Sequence, residues 1–151
     1  SLRSALREEP DVIFVGELRD LETISLAMTA AETGHLVFGT LHTSGAPETI
    51  NRIIDVFPPE QQSQIKAQIS NSVKMVVTQR LIKTKDGLGR VAAFEVMKCT
   101  PPIQNLIREG KVHQIPSVIQ TSAKDGMIEM RKSLEDLARD GKIDGSIAKE
   151  D

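Results

Sequence analysis

The sequence holds 151 residues, 39% of them hydrophobic, which suits one ordinary globular domain with a continuous core. The 19 lysines and arginines against 21 acids leave a formal net charge of -2, so no broad attraction to nucleic acid or anionic lipid is expected and partners must be argued from sites. A lone Cys99 excludes an internal disulfide or a zinc ribbon and fits a reducing, cytosolic setting, and no apolar run approaches the ~18 residues of a membrane-spanning helix, so no direct membrane insertion is expected.

Residues 1–9 read as the end of a helix that Pro10 breaks. Val12 to Val15 is a short, wholly apolar run, the pattern of a strand buried on both faces, as in a parallel sheet. Asp20 can cap a following helix whose apolar residues Leu21, Ile24, Met28 and Ala31 recur at three- and four-residue steps, with Gly34 as its stop. Leu36 to Leu41 is a second buried strand, and the order strand, helix, strand predicts a right-handed βαβ unit of α/β type.

Ile50, Ile53, Ile54 and Phe57 stand at i, i+3, i+4 and i+7, predicting an amphipathic helix that ends at Pro58 and Pro59. Ile65, Ile69 and Val73 continue a helix. A β-rich stretch from Met75 to Ile82, a turn around Asp86 to Gly89, and Val91 to Met97 predict an antiparallel hairpin. From Thr100 the pattern is helical, with Thr100 as cap, Pro101 at the first helical position and Gly110 as stop. Met127, Met130, Leu134 and Leu137 form the last apolar stripe, and the sequence after Gly141 reads as a polar tail that frays. The expected divisions are therefore 1–99, 100–141 for a helical subdomain, and 142–151 for a flexible tail.

Two stretches carry chemistry. Asp11 to Asp20 (DVIFVGELRD) delivers Glu17, Arg19 and Asp20 at the C-terminal end of an apolar strand, where open α/β sheets bind ligands. A carboxylate there can orient water for attack on a γ-phosphate, or hold Mg²⁺ through a water, and Glu17 is the first candidate. The alternative is that Glu17 and Arg19 are solvated loop charges and Asp20 only a helix cap. Thr33 to Ala46 (TGHLVFGTLHTSGA) places His35 before the second strand and His42 after it. An extended run of seven residues separates them by roughly 23 Å, and the odd offset turns them to opposite faces, so a shared metal is not expected. His42 lies at the same strand edge as Glu17 and could contact phosphate oxygens, whereas His35 has a structural task.

These two stretches resemble, in order, the Walker B segment and the histidine box of the type II/type IV secretion ATPase superfamily. Arg52 to Pro58 (RIIDVFP), Gly89 to Glu95 (GRVAAFE), Asn105 to Gly110 (NLIREG) and Ile115 to Thr121 (IPSVIQT) narrow the resemblance to the PilT-type, pilus-retraction branch. It covers nearly the whole chain, to about Gly141. The resemblance implies an α/β fold that is part of a RecA-like phosphate-loop ATPase core with a C-terminal helical subdomain. It further implies a homo-hexameric motor that hydrolyses ATP with Mg²⁺ to retract type IV pili. Such a motor would be cytoplasmic, peripheral at the inner membrane, and engaged with an inner-membrane platform protein. Glu17 matches the Walker B glutamate and His42 the histidine-box residue near the γ-phosphate, with Arg19 and Asp20 beside the site as further nucleotide-binding candidates. Arg3 and Arg7 match arginines before Walker B, though a solvated helix face is their simpler reading.

Ile103, Asn105, Leu106, Ile107, Arg108 and Glu109 match the family's retraction motif, with Pro102 and Gln104 where alanine and arginine are usual; the apolar three among them are explained equally well as core packing. No G-x-x-x-x-G-K-[ST] loop occurs, since Gly110-Lys111 and Gly141-Lys142 are followed by Val112 and Ile143. Gly16 stands where many phosphate-loop enzymes place a Mg²⁺-binding aspartate. The chain is therefore expected to be a piece of a longer subunit that alone does not bind ATP tightly. The alternatives are a non-catalytic assembly module, or the assembly and secretion branch, against which the lone Cys99 speaks because that branch carries a four-cysteine zinc insert.

Overall fold

The computed structural model describes residues 2–149, with Ala5 and Leu6 described by backbone alone. In chain order the elements are α1 (Leu2–Leu6), β1 (Val12–Val15), α2 (Leu21–Glu32), β2 (Leu36–Gly39), α3 (Ala46–Asp55), α4 (Gln62–Ser72), β3 (Met75–Lys83), β4 (Arg90–Lys98), α5 (Pro101–Arg108), α6 (Ile115–Gln120) and α7 (Met130–Arg139). Ser1 lies outside the described residues, and so do positions 150 and 151 of the expected tail.

β1 and β2 are parallel neighbours, Val12 opposite Leu36 and Val15 opposite Gly39, joined through α2. The expected βαβ connectivity is present, but the strands are not buried on both faces. Ile13 and Val15 pack with Ala27 and Ala30 of α2, and Val37 lies against them. Val12, Phe14, Leu36 and Phe38 point the other way and are 55%, 71%, 50% and 52% exposed. The physical reason is that α2 covers one face of a two-stranded sheet, and among the described residues no element covers the other. On α2 the buried stripe is Ile24, Ala27 and Ala30, one step round from the predicted one, and Leu21 is exposed. Gly34, at φ 95°, ends the helix as expected, in a backbone region that glycine adopts without strain.

The hairpin β3–β4 forms with Met75 opposite Lys98 and Lys83 opposite Arg90, matching the expected antiparallel pair. The principal core gathers Ile24 with Ile50, Ile53, Ile54 and Phe57 of the α3 region, Ile65 and Ile69 of α4, Met97, Ile103 and Ile107 of α5, and Ile115 and Ile119 of α6. Helices α5 and α6, after residue 99, thus share a core with those before it.

A second cluster joins Ile82 and Ala93 of the hairpin to Leu134, Ile143 and Ala148. Here the expectation of a fraying tail is corrected for residues 142–149. Ile143 is 1% exposed, and the Lys142 carbonyl accepts a hydrogen bond from the Lys85 amide at 2.9 Å. Ile143, Ile147 and Ala148 suffice to pin an otherwise polar segment to the hairpin and α7, because each finds a prepared apolar surface.

Candidate functional site

The site forms where β1 and β2 end. Leu18 follows Glu17 and Leu41 precedes His42, and both leucines pack against the principal core. Each polar candidate is therefore held by an apolar neighbour that anchors the backbone beside it. Cross-links hold the two chain segments at one level: the Leu18 amide donates to the Thr40 carbonyl at 2.8 Å, and the Thr40 hydroxyl donates to the Gly16 carbonyl. Gly39 lets them approach, since a Cβ there would stand 2.6 Å from a Leu18 methyl carbon.

This geometry brings Glu17 and His42 together, with His42 Nε2 3.8 Å from Glu17 Oε1. That is longer than a hydrogen bond but well within Coulombic reach. Arg19 reaches back two residues, its Nη2 2.6 Å from Glu17 Oε2. One carboxylate oxygen is thus engaged by the guanidinium while the other faces the imidazole. The Arg19 hydrogen bond holds the Glu17 carboxyl below the usual glutamate range; desolvation opposes it, and the charges of Arg19 and His42 add smaller lowering effects. Reciprocally, the Glu17 carboxylate raises the Arg19 guanidinium. The site is open: the His42 side chain is 85% exposed and that of Glu17 35%.

Asp20 stands next to these groups in sequence but is turned to another task. Its carboxylate accepts from the Thr23 amide at 2.8 Å and caps α2, and that bond is the first cause of its lowered pKa. His35 is half-buried at the start of β2, with Nδ1 3.0 Å from the Ala30 carbonyl, the structural position expected of it. Arg3 pairs with Glu22 at 2.8 Å across the surface between α1 and α2.

The residues 103–109 divide by burial. Ile103 and Ile107 are 0% exposed in the principal core and Leu106 is half-buried against it. Asn105, Arg108 and Glu109 are exposed, Arg108 donating to the Asn105 side chain at 2.8 Å and Glu109 pairing with Lys111 at 3.3 Å. Pro101 and Pro102 occupy the first turn of α5, where a missing amide costs nothing.

The segment from His42 to Ala46 is held by groups the sequence reading passed over. Arg52 donates to the His42 carbonyl and pairs with Glu48 at 3.0 Å. Glu48 accepts from the Ser44 amide at 2.8 Å and from its hydroxyl. Glu95 of β4 accepts from the Ala46 amide at 2.9 Å. The available signal was an acid in the first turn of a helix with an arginine four residues on. Among the described residues no group of three or more His, Cys, Asp or Glu side chains is arranged to hold a metal ion.

An α/β unit that presents a carboxylate and an imidazole side by side at the C-terminal ends of adjacent parallel strands has the form of a ligand site at a sheet edge. The chain belongs to the type II/IV secretion system protein family, whose model matches residues 1–144. It is 56% identical over 143 residues to a twitching motility protein of Neisseria gonorrhoeae, covering 95% of this chain and 38% of that relative. It is 56% identical over 150 residues to the type IV pilus retraction ATPase PilT of Pseudomonas aeruginosa, covering 99% of this chain and 43% of the relative. Among solved structures, the pilus retraction motor PilT with bound ADP superposes with a TM-score of 0.86 at 48% identity, over 97% of this chain and 41% of that one. The chain thus spans well under half the length of these relatives, and its α/β fold is that of the secretion ATPases. Among the described residues no helix is long and apolar enough to cross a membrane.

Proposed function

We propose that this chain supplies the hydrolytic face of the ATP site in a pilus-retraction motor. The observation that carries the reading is the placement of Glu17 and His42, 3.8 Å apart, at the ends of adjacent parallel strands. Glu17 is the catalytic carboxylate. Held ionised by Arg19, it is a weak proton acceptor but a strong hydrogen-bond acceptor, and its work is to orient and polarise the attacking water. His42, exposed at the same strand edge, donates toward the γ-phosphate, and Arg19 keeps the Glu17 carboxylate from swinging away. Asp20 acts indirectly, by fixing the start of α2 beside the site.

The donor set fits one wall of a nucleotide site. A carboxylate, an imidazole and a guanidinium can serve the γ-phosphate end, while a glycine-rich loop whose amides would cradle the phosphates is not in the sequence. The phosphate loop, and with it the nucleotide's Mg²⁺, belong in this reading to the remaining length of the motor subunit. Mg²⁺ there neutralises phosphate charge. The subunit assembles as a homo-hexamer at the cytoplasmic face of the inner membrane and acts on the pilus through a platform protein. The exposed Asn105, Arg108 and Glu109 of α5 are the part of the retraction motif available to a partner, whereas Ile103 and Ile107 serve the core. The similarity to pilus-retraction ATPases over nearly the whole chain supports this reading.

The test is hydrolysis by the longer protein that joins this chain to a phosphate loop. Glu17→Gln is expected to lower turnover by about 10²-fold or more while nucleotide affinity is kept, the scale lost with a positioned acid–base group. Near-normal turnover in that variant removes Glu17 from the role.

A further inference from the structure

We propose that Arg52 is a positioning residue for His42, acting through a clamp with Glu48 and Ser44 that fixes the backbone carrying the imidazole. The inference rests on the reading of His42 as a nucleotide-facing residue and deepens it.

The His42 ring has no hydrogen bond among the described residues; Glu17 faces it at 3.8 Å. An exposed ring so loosely held takes its direction from its own backbone. That backbone is fixed by Arg52 and Glu48 together. Arg52 Nη1 donates to the His42 carbonyl, and its Nη2 donates to Glu48 Oε1 at 3.0 Å. The second Glu48 oxygen receives the Ser44 amide at 2.8 Å together with the Ser44 hydroxyl. One guanidinium and one carboxylate on successive turns of α3 therefore grip both ends of the run 42–44. The next residue but one, Ala46, is tied by its amide to Glu95 of the hairpin.

The arrangement makes little sense as a source of stability. Arg52 and Glu48 side chains are 49% and 41% exposed, and exposed pairs four apart on a helix contribute little to folding. Their bonds converge instead on the single loop that aims His42. Both Ser44 bonds hold the Glu48 carboxyl below its ordinary range, with a smaller effect from Arg52, so the clamp stays charged at neutral pH. A guanidinium suits this task because its planar fork can serve a carbonyl and a carboxylate at once.

The chain has three histidines, His35, His42 and His113, so the ring signals of His42 can be resolved by NMR of the 151-residue protein. The readout is coupling. In the parent, Glu17→Gln is expected to displace the His42 ring cross-peaks, because it alters the group that faces them. In the Arg52→Met background the same Glu17→Gln change is expected to leave them in place, with Glu48→Gln acting likewise and Arg52→Lys restoring part of the displacement. A dispersed amide spectrum shows that each variant is folded, and Glu48→Gln provides an independent route if Arg52→Met is not. Undiminished coupling in both Arg52→Met and Glu48→Gln overturns the clamp while leaving the Glu17–His42 contact intact. Absence of coupling in the parent overturns the clamp and also the contact on which the proposed function stands.

Discussion

Replacing Ile107 with alanine separates the two tasks assigned to α5. The side chain is wholly buried in the principal core, where α5 packs against α4 and α6. The change removes three carbons, and at about 0.8 kcal/mol for each buried carbon the transfer loss is about 2.4 kcal/mol. The cavity left in a packed core adds to this, giving an expected loss of about 3–4 kcal/mol within the range seen for isoleucine-to-alanine changes. Urea unfolding followed by circular dichroism reads this as a lower midpoint at an unchanged slope. Asn105→Ala and Arg108→Ala, on the exposed side of the same helix, are expected to stay within about 0.5 kcal/mol of the parent. A retraction defect in the isoleucine variant then reports folding, and a defect in the exposed variants reports a partner. A loss under about 1 kcal/mol for Ile107→Ala would refute the placement of that side chain in the core.

Ile143→Ala is expected to cost about 3 kcal/mol by the same reasoning, measured by the same unfolding curve, whereas a frayed tail would lose almost nothing. Arg19→Gln removes the largest cause of the lowered Glu17 pKa, so the Glu17 carboxyl, followed by carbon-13 NMR, should titrate at higher pH. The sign is that of a depressed carboxylate: its stabilisation is present above the ordinary glutamate range and is lost as pH falls through the lowered value. Cys99 is half-buried and its thiol is pushed up by that burial, with Lys74 opposing, so alkylation by iodoacetamide at pH 8 should be slower than for a free cysteine and speed up on unfolding.

The sequence made some features plain and hid others for physical reasons. Helix α3 and the hairpin were legible because their apolar residues keep strict periods and their ends carry Pro58, Pro59 and the Asp86–Gly89 turn. β1 and β2 were legible as strands but not in their burial, because an apolar run records what a strand can cover and not whether a layer is there to cover it. Phe14, 71% exposed, is the clearest case. The tail misled because Ile143, Ile147 and Ala148 are few among polar residues, yet they meet a surface built from distant residues. At the site, the strand-end positions of Glu17 and His42 could be read from the motifs. Of the Arg52 clamp only the Glu48–Arg52 spacing on α3 could be read, since a guanidinium that turns back ten residues to a backbone carbonyl leaves no local pattern.

The most direct test of the account is a structure of the longer protein bound to Mg²⁺ and a non-hydrolysable ATP analogue. The account predicts His42 Nε2 within hydrogen-bond distance of a γ-phosphate oxygen and Glu17 one water away from the γ-phosphorus on the same side. A γ-phosphate lying away from the ends of β1 and β2, with Glu17 still paired to Arg19 and facing only solvent, would contradict it.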